Sequence, residues 1–217
     1  METPSRRRGF IDLLVADLTP TPRHALERRI ARAVVPGVFA AFGIALLLWG
    51  PRPDMAAAVL TASFWVKAAT TFLLGLCGLV ALIRLARPRG VVGSAGWIGL
   101  GIVSALGVAA AIQLGSAAPA QRLPMLWGGT SAVCPWLIIL LSMPLLLGAF
   151  RVLRTMAPTR LGLAGAAAGF TSGAFAAFGY ASACDESAMV FVFVWYGSAI
   201  AATSIIGALL GPTLLRW

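Results

Sequence analysis

The chain has 217 residues, of which 59% are hydrophobic and only 11% are charged, so a soluble globular fold is excluded because the polar residues are too few to cover its surface. The formal net charge of +10 would suit a nucleic-acid-binding protein, but the basic residues follow the connections between apolar segments, as in a membrane protein. Direct binding of nucleic acid is therefore not predicted.

Six apolar segments, each close to the length that a helix needs to cross a bilayer, follow one another along the chain. They lack the alternation of membrane β-strands, so helices are predicted. The predicted fold is an all-α integral membrane protein, a bundle of six transmembrane helices with a short cytoplasmic N-terminal amphipathic segment. Residues 1–32 are predicted to form the tail and residues 33–217 the transmembrane domain, with spans at about 33–49, 62–83, 91–114, 131–150, 161–181 and 188–210.

Arginine marks every second connection, which predicts a multi-pass protein of the bacterial inner membrane with both termini in the cytoplasm. The intervening connections contain only Arg52 and Arg122. The cytoplasmic set is Arg6, Arg7, Arg8, Arg23, Arg28, Arg29, Arg32, Arg84, Arg87, Arg89, Arg151, Arg154, Arg160 and Arg216.

The N-terminal tail contains an apolar stripe that is predicted to lie along one face of a short helix. Such a helix is too short to be stable alone in water, so the stripe needs a support, which is the bilayer, its own bundle or a soluble partner. The two acidic residues off the stripe favour a protein partner, because an anionic membrane repels them. The stripe consists of Phe10, Ile11, Leu14, Val15 and Leu18, and the acidic residues are Asp12 and Asp17.

Two of the three cysteines are predicted to face the periplasm. Cys134 opens the fourth span and Cys184 precedes Asp185 and Glu186 in the last outer loop, whereas Cys77 is expected to be a small buried residue of the second span. Three interpretations remain open. Cys134 and the two acids are ordinary helix-start residues, the two outer cysteines form a structural disulfide, or they form a redox-responsive or metal-responsive pair with Asp185 and Glu186 as secondary ligands.

Lys67 is the single lysine or arginine that falls well inside a predicted span, a few residues from its outer end. The sequence predicts that its ammonium extends to the membrane surface, and a role in an ion pathway is the alternative.

Glycines and one proline within the spans indicate how the helices pack. Gly165, Gly169 and Gly173 recur every fourth residue, a spacing that lets two helices approach closely, and Gly93, Gly96 and Gly99 lie on the third span. Pro144 is expected to bend the fourth span.

Catalytic motifs are absent from the sequence, so an enzyme is not predicted. No resident cofactor is predicted either, beyond a transient soft-metal ion or a disulfide at Cys134 and Cys184. Two other classes stay open. A small solute transporter would use polar groups such as Gln113, Thr70 and Thr71, and a membrane thiol-redox protein would use the outer cysteines.

Several motifs resemble those of the NrsF-type membrane anti-sigma factors along nearly the whole chain: "LLVADLTP", "GPRPDM", "CPWLIILLSMPLLL", "CDESAMVFVFVWY" and "GALLGPTLLRW". The resemblance implies a protein that holds an extracytoplasmic-function sigma factor at the membrane and frees it under heavy-metal or oxidative stress. It further implies that Cys134 and Cys184 are the sensing pair and that the tail from Asp12 to Leu18 contacts the sigma factor. The basic start, Arg6 to Arg8, and the additional Cys77 depart from the pattern.

Overall fold

The computed structural model describes residues 25–50, 52–88 and 90–216, and in these ranges it contains eight helices and no β-strand. The helices are α1 (Ala25–Trp49), α2 (Met55–Ala58), α3 (Ala62–Leu85), α4 (Ser94–Ser116), α5 (Pro119–Trp127), α6 (Cys134–Arg154), α7 (Leu161–Tyr180) and α8 (Met189–Leu214), the last with a π-helical turn at Val192–Tyr196.

The predicted all-α fold with six spans is confirmed, since α1, α3, α4, α6, α7 and α8 are each long and apolar enough to cross a membrane. The largest differences from the predicted bounds lie at the start of α1 and at the ends of α6 and α8. Helix α6 continues to Arg154, because Arg151 and Arg154 lie in its last turn, where a cation stabilises the helix dipole. Residues 25–32, which precede the first predicted span and include Arg28, Arg29 and Arg32, belong to the same continuous helix, α1.

The two ends of the bundle differ in their side chains. The end that we call the arginine end carries the starts of α1, α4 and α7 and the ends of α3, α6 and α8. There Arg87 forms an ion pair with Glu27 at 2.7 Å, and the Arg154 Nε donates to the carbonyl of Leu214 at 2.6 Å. The opposite end, which we call the thiol end, carries Cys134 and the connections 50–61, 117–133 and 181–188.

Helix α7 lies at the centre of the bundle and packs against α1, α3, α6 and α8. It is rich in alanine and glycine, so its neighbours approach its backbone closely. A Cβ atom built on Gly165 would fall on the carbonyl oxygen of Gly207, and one built on Gly169 would fall on that of Thr203. The predicted close packing at these glycines is thereby confirmed, and its partner is α8.

We expect Gly169→Ala to lower the midpoint of thermal unfolding of the detergent-solubilised protein by roughly 5–10 °C, because the new methyl group overpacks the α7–α8 contact. Gly101→Ala is the matched control, since a Cβ at this helical glycine meets nothing within 4 Å. That substitution should leave the midpoint unchanged or raise it slightly, because alanine favours helix. Equal effects of the two substitutions would contradict the close packing.

Candidate functional site

The 181–188 loop, which joins α7 to α8, folds over the thiol end and brings the predicted site residues together. Its far end is fixed by Gln113 of α4, whose side-chain oxygen accepts hydrogen bonds from the backbone amides of Met189 at 2.7 Å and Val190 at 3.3 Å. These amides belong to the first turn of α8, where they have no partner within the helix. Gln113 therefore caps α8, a role that its sequence position did not indicate.

Cys134 and Cys184 lie side by side beneath this loop. Cys134 is the first residue of α6, as predicted, and the exposed fractions of the two side chains are 0% and 2%. The sulfurs are not bonded to each other, and the two thiols are close enough to share a hydrogen bond. The hydroxyl of Thr130 lies 4.0 Å from the Cys184 sulfur. Helix α6 and the 181–188 loop thus contribute one thiol each to a common buried site.

The surroundings of Cys184 favour its thiolate. The hydrogen bond with the Cys134 thiol, followed by the positive charge of Lys67, lowers the pKa of Cys184 below that of an ordinary thiol. The hydroxyl of Tyr196 is buried beside the same sulfur and has no nitrogen or oxygen partner among the described residues. A thiolate is the form of cysteine that attacks oxidants and binds soft metals.

Lys67 of α3 is completely enclosed beneath the loop, with an exposed fraction of 0%. Its ammonium donates to the carbonyl oxygens of Cys184 at 2.8 Å and Glu186 at 2.7 Å, and it lies 5.8 Å from the centre of the Tyr196 ring. The prediction that this ammonium extends to the membrane surface is wrong, because the loop covers the end of α3 and supplies the oxygens that water would otherwise provide.

Arg52, in the connection after α1, is the second cation of the site and is 5% exposed. Its guanidinium binds both carboxylate oxygens of Asp54, at 2.6 and 2.7 Å, and also donates to the carbonyls of Asp185 at 3.2 Å and Cys184 at 3.5 Å. The hydrogen bond to Asp54 raises the pKa of Arg52, and the same bond lowers the pKa of Asp54. In the sequence, the only signal was the spacing of these two residues in "GPRPDM".

Asp185 and Glu186 use different groups to hold the loop. Asp185 contributes its carbonyl oxygen to Arg52, whereas the Glu186 carboxylate accepts a hydrogen bond of 2.6 Å from the backbone amide of Gly129. The Glu186 carboxylate thus ties the loop to the connection before α6, and the interpretation that the two acids favour the start of the sixth helix through its dipole stays a prediction. Within the described ranges, no three histidine, cysteine, aspartate or glutamate side chains are grouped closely enough to hold a metal ion. The metal site of Cys134, Cys184, Asp185 and Glu186 stays a prediction.

Thr70 and Thr71, two polar residues of α3, are bonded within their own helix. The hydroxyl of Thr70 donates to the carbonyl of Val66 at 2.6 Å, and that of Thr71 donates to the carbonyl of Lys67 at 2.9 Å. Together with Gln113, these are the residues that a solute transporter would have to use. Their hydrogen bonds give them structural roles.

The residues predicted to bind a partner lie outside the described part of the chain, and their role stays a prediction: Phe10, Ile11, Asp12, Leu14, Val15, Asp17 and Leu18. The nearest described element is the start of α1 at the arginine end, where Glu27 pairs with Arg87.

The fold and the site define a multi-pass helical membrane protein with a buried pair of thiols at one end. Residues 14–217 match the family model of NrsF, described as negative regulator of sigma F, and the chain belongs to this family. It is similar to the anti-sigma-F factor NrsF of Caulobacter vibrioides (strain NA1000 / CB15N), with 39% identity over 214 residues that cover 98% of this chain and 100% of the relative. It is also similar to the probable anti-sigma-F factor NrsF of Azospira oryzae (strain ATCC BAA-33 / DSM 13638 / PS), with 34% identity over 215 residues and the same coverage. No solved structure matches the chain.

Proposed function

We propose that this protein is a membrane-bound anti-sigma factor that holds an extracytoplasmic-function sigma factor at the bacterial inner membrane and releases it under heavy-metal or oxidative stress in the periplasm. The observation that carries the proposal is the 39% identity, over 98% of the chain, to a protein named anti-sigma-F factor. The bundle supports it further, because the buried thiols and the start of α1 lie at opposite ends and could serve as input and output.

The proposal requires that the arginine end faces the cytoplasm, as the distribution of arginine favours. We expect a cysteine introduced by Met156→Cys, in a chain without its native cysteines, to resist a membrane-impermeant maleimide in intact cells. It should react once the inner face is exposed in inverted vesicles, because residue 156 follows α6 at the arginine end. Labelling of this position from the periplasm would overturn the orientation and with it the access of the tail to a sigma factor.

The N-terminal tail is the proposed contact with the sigma factor. Helix α1 begins the described part of the chain with Ala25, at the arginine end, which would face the cytoplasm. The apolar stripe from Phe10 to Leu18 would dock in an apolar groove of the partner, while Asp12 and Asp17 remain at its edge.

The thiol pair is the proposed sensor. Cys134 and Cys184 belong to separate segments, so a disulfide or a bridging soft metal would join α6 to the loop between α7 and α8. If the bundle has two arrangements, such a bond shifts the equilibrium toward the arrangement in which the bond is more stable. A preference of about 3 kcal/mol changes their ratio roughly a hundredfold. Pro144 in α6 and the glycine contacts between α7 and α8 are the places where the helices could readjust.

Co-purification tests the proposal. Each extracytoplasmic-function sigma factor of the host is co-expressed with the full chain, the membranes are solubilised in detergent, and the sigma factor bound to the tagged chain is measured. We expect one sigma factor to be retained. If none is retained, and the purified chain instead moves a solute across liposomes or turns over disulfides, the anti-sigma role is wrong.

A further inference from the structure

We propose that Lys67 and Arg52 form a cationic clamp, which grips the 181–188 loop and holds the Cys184 sulfur beside that of Cys134, so that the two thiols can close a disulfide. This inference rests on the proposed sensing role of the thiol pair and adds the residues that assemble it. The two cations are positioning residues, since they act on the pair through the backbone of the loop.

The clamp binds the backbone of the loop at the reactive cysteine itself. The carbonyl oxygens of Cys184, Asp185 and Glu186 are consecutive along the chain, and each accepts a hydrogen bond from Lys67, from Arg52 or, at Cys184, from both. The backbone amide of Arg52 also donates to the carbonyl of Ser182 at 3.4 Å. The position of Cys184 is therefore set by α3 and by the connection after α1.

The other ties of the loop hold neighbouring positions. Glu186 binds the amide of Gly129 through its side chain, and Gln113 binds the amides of Met189 and Val190 beyond the loop. Loss of Lys67 would leave these hydrogen bonds in place. It would remove the shorter of the two hydrogen bonds that the Cys184 carbonyl accepts. The loop would then remain attached at its far end while the sulfur of Cys184 became less well placed.

Within the part of the chain that the structure describes, Lys67 is buried without a carboxylate partner, which is unusual for a lysine that serves only in packing. In the described ranges, ion pairs within 4.0 Å join Arg52 to Asp54 and Arg87 to Glu27, so Lys67 is held by two carbonyls and the Tyr196 ring without a carboxylate. A charged side chain inside a membrane span is costly and marks functional positions. The Lys67 ammonium, bound to carbonyls of the 181–188 loop, is therefore well placed to set the positions of the two thiols.

The reaction that the clamp prepares is the oxidation of two thiols to a disulfide. With diamide, an azo-type oxidant, the sulfurs of Cys134 and Cys184 form one S–S bond and lose two protons and two electrons. The N=N bond of diamide takes these up and becomes a hydrazine. The rate depends on how often the two sulfurs meet, and a small displacement from a productive geometry can slow a reaction by one to two orders of magnitude.

We expect Lys67→Met to slow the formation of the Cys134–Cys184 disulfide by about tenfold or more in membranes treated with diamide. The remaining free thiols are counted at each time point by the gel shift that a polyethylene-glycol maleimide produces. Arg84→Met is the matched control, because Arg84 lies on the same helix and donates to the carbonyl of Val92 at the opposite end. That variant should form the disulfide at the wild-type rate.

A second readout separates a displaced loop from a loosened protein. The measurement is made at an alkaline pH, where loss of the Lys67 charge does not limit the Cys184 thiolate. In Lys67→Met, a small alkylating maleimide should then modify Cys184 faster than in the wild type, whereas Cys77, in the half of α3 toward the arginine end, should react at an unchanged rate. Equal acceleration at Cys77 and Cys184 would show general loosening and overturn the clamp. A wild-type rate of disulfide formation in Lys67→Met would overturn it as well.

Arg52→Gln tests the same inference from a different element, should Lys67→Met fail to insert. This variant should also form the disulfide more slowly, since it lacks the guanidinium that binds both Asp54 and the loop. A wild-type rate in this variant would count against the clamp.

No sigma factor takes part in these assays. If the wild-type chain forms the disulfide and retains no sigma factor in any state, the proposed function fails and the clamp stands.

Discussion

Leu14→Asp is expected to abolish retention of the sigma factor at the membrane and to switch on its target genes without stress. The substitution places a carboxylate in the middle of the apolar stripe from Phe10 to Leu18. Burying an unpaired charge in an apolar groove costs several kcal/mol, and a loss of about 3 kcal/mol already weakens binding more than a hundredfold. The measurements are co-purification of the sigma factor and a reporter gene that it transcribes.

Ala16→Asp is the matched control for this substitution. It introduces the same carboxylate two residues away, on the opposite face of the predicted helix, and should leave retention intact. The Leu14→Asp chain must also be present in the membrane at the wild-type amount. Intact repression in this variant would place the docking surface elsewhere, in the connections 86–93 or 155–160.

Cys134→Ser is expected to leave the sigma factor bound and to block its release by diamide or cadmium, because a single sulfur cannot close a disulfide or share a metal with its partner. The double variant with Cys184→Ser should fail to respond to the same extent as Cys134→Ser, as expected when two residues act as one unit. The measurement is the reporter gene with and without the inducer.

Cys77→Ser provides the control for this prediction. Cys77 lies on α3 and is absent from the site of the thiol pair, so its replacement should leave induction intact. Full induction in the Cys134→Ser strain would refute the paired sensor and return Cys134 and Cys184 to a structural role.

The features that the sequence predicted correctly are those that depend on local composition. The six spans follow from the length of the apolar segments, and Cys134 precedes Pro135 at a helix start, where proline fits the first turn. The regular glycines of α7 predicted a close helix contact, because a missing side chain is visible in the sequence. The spacing of the glycines did not identify α8 as the partner, because the choice of partner depends on tertiary packing.

The candidate site was only partly predictable for the same reason. The order of the spans placed Cys134 and Cys184 at one end of the bundle, but their contact depends on the path of the 181–188 loop. Lys67 near a helix end is compatible with a solvated ammonium or an enclosed one, and the loop decides between them. The role of Arg52 was missed because its partners in the loop, the carbonyls of Ser182, Cys184 and Asp185, are distant in sequence.

The most direct test of the central claim is the amount of sigma factor bound to the wild-type chain before and after its thiols are joined. The chain is purified with its partner in detergent, treated with diamide until the maleimide gel shift shows that the Cys134–Cys184 disulfide is complete, and then reduced again. We expect the bound sigma factor to fall by about tenfold or more and to rebind after reduction. An unchanged amount of bound sigma factor, with the disulfide fully formed, would contradict the account.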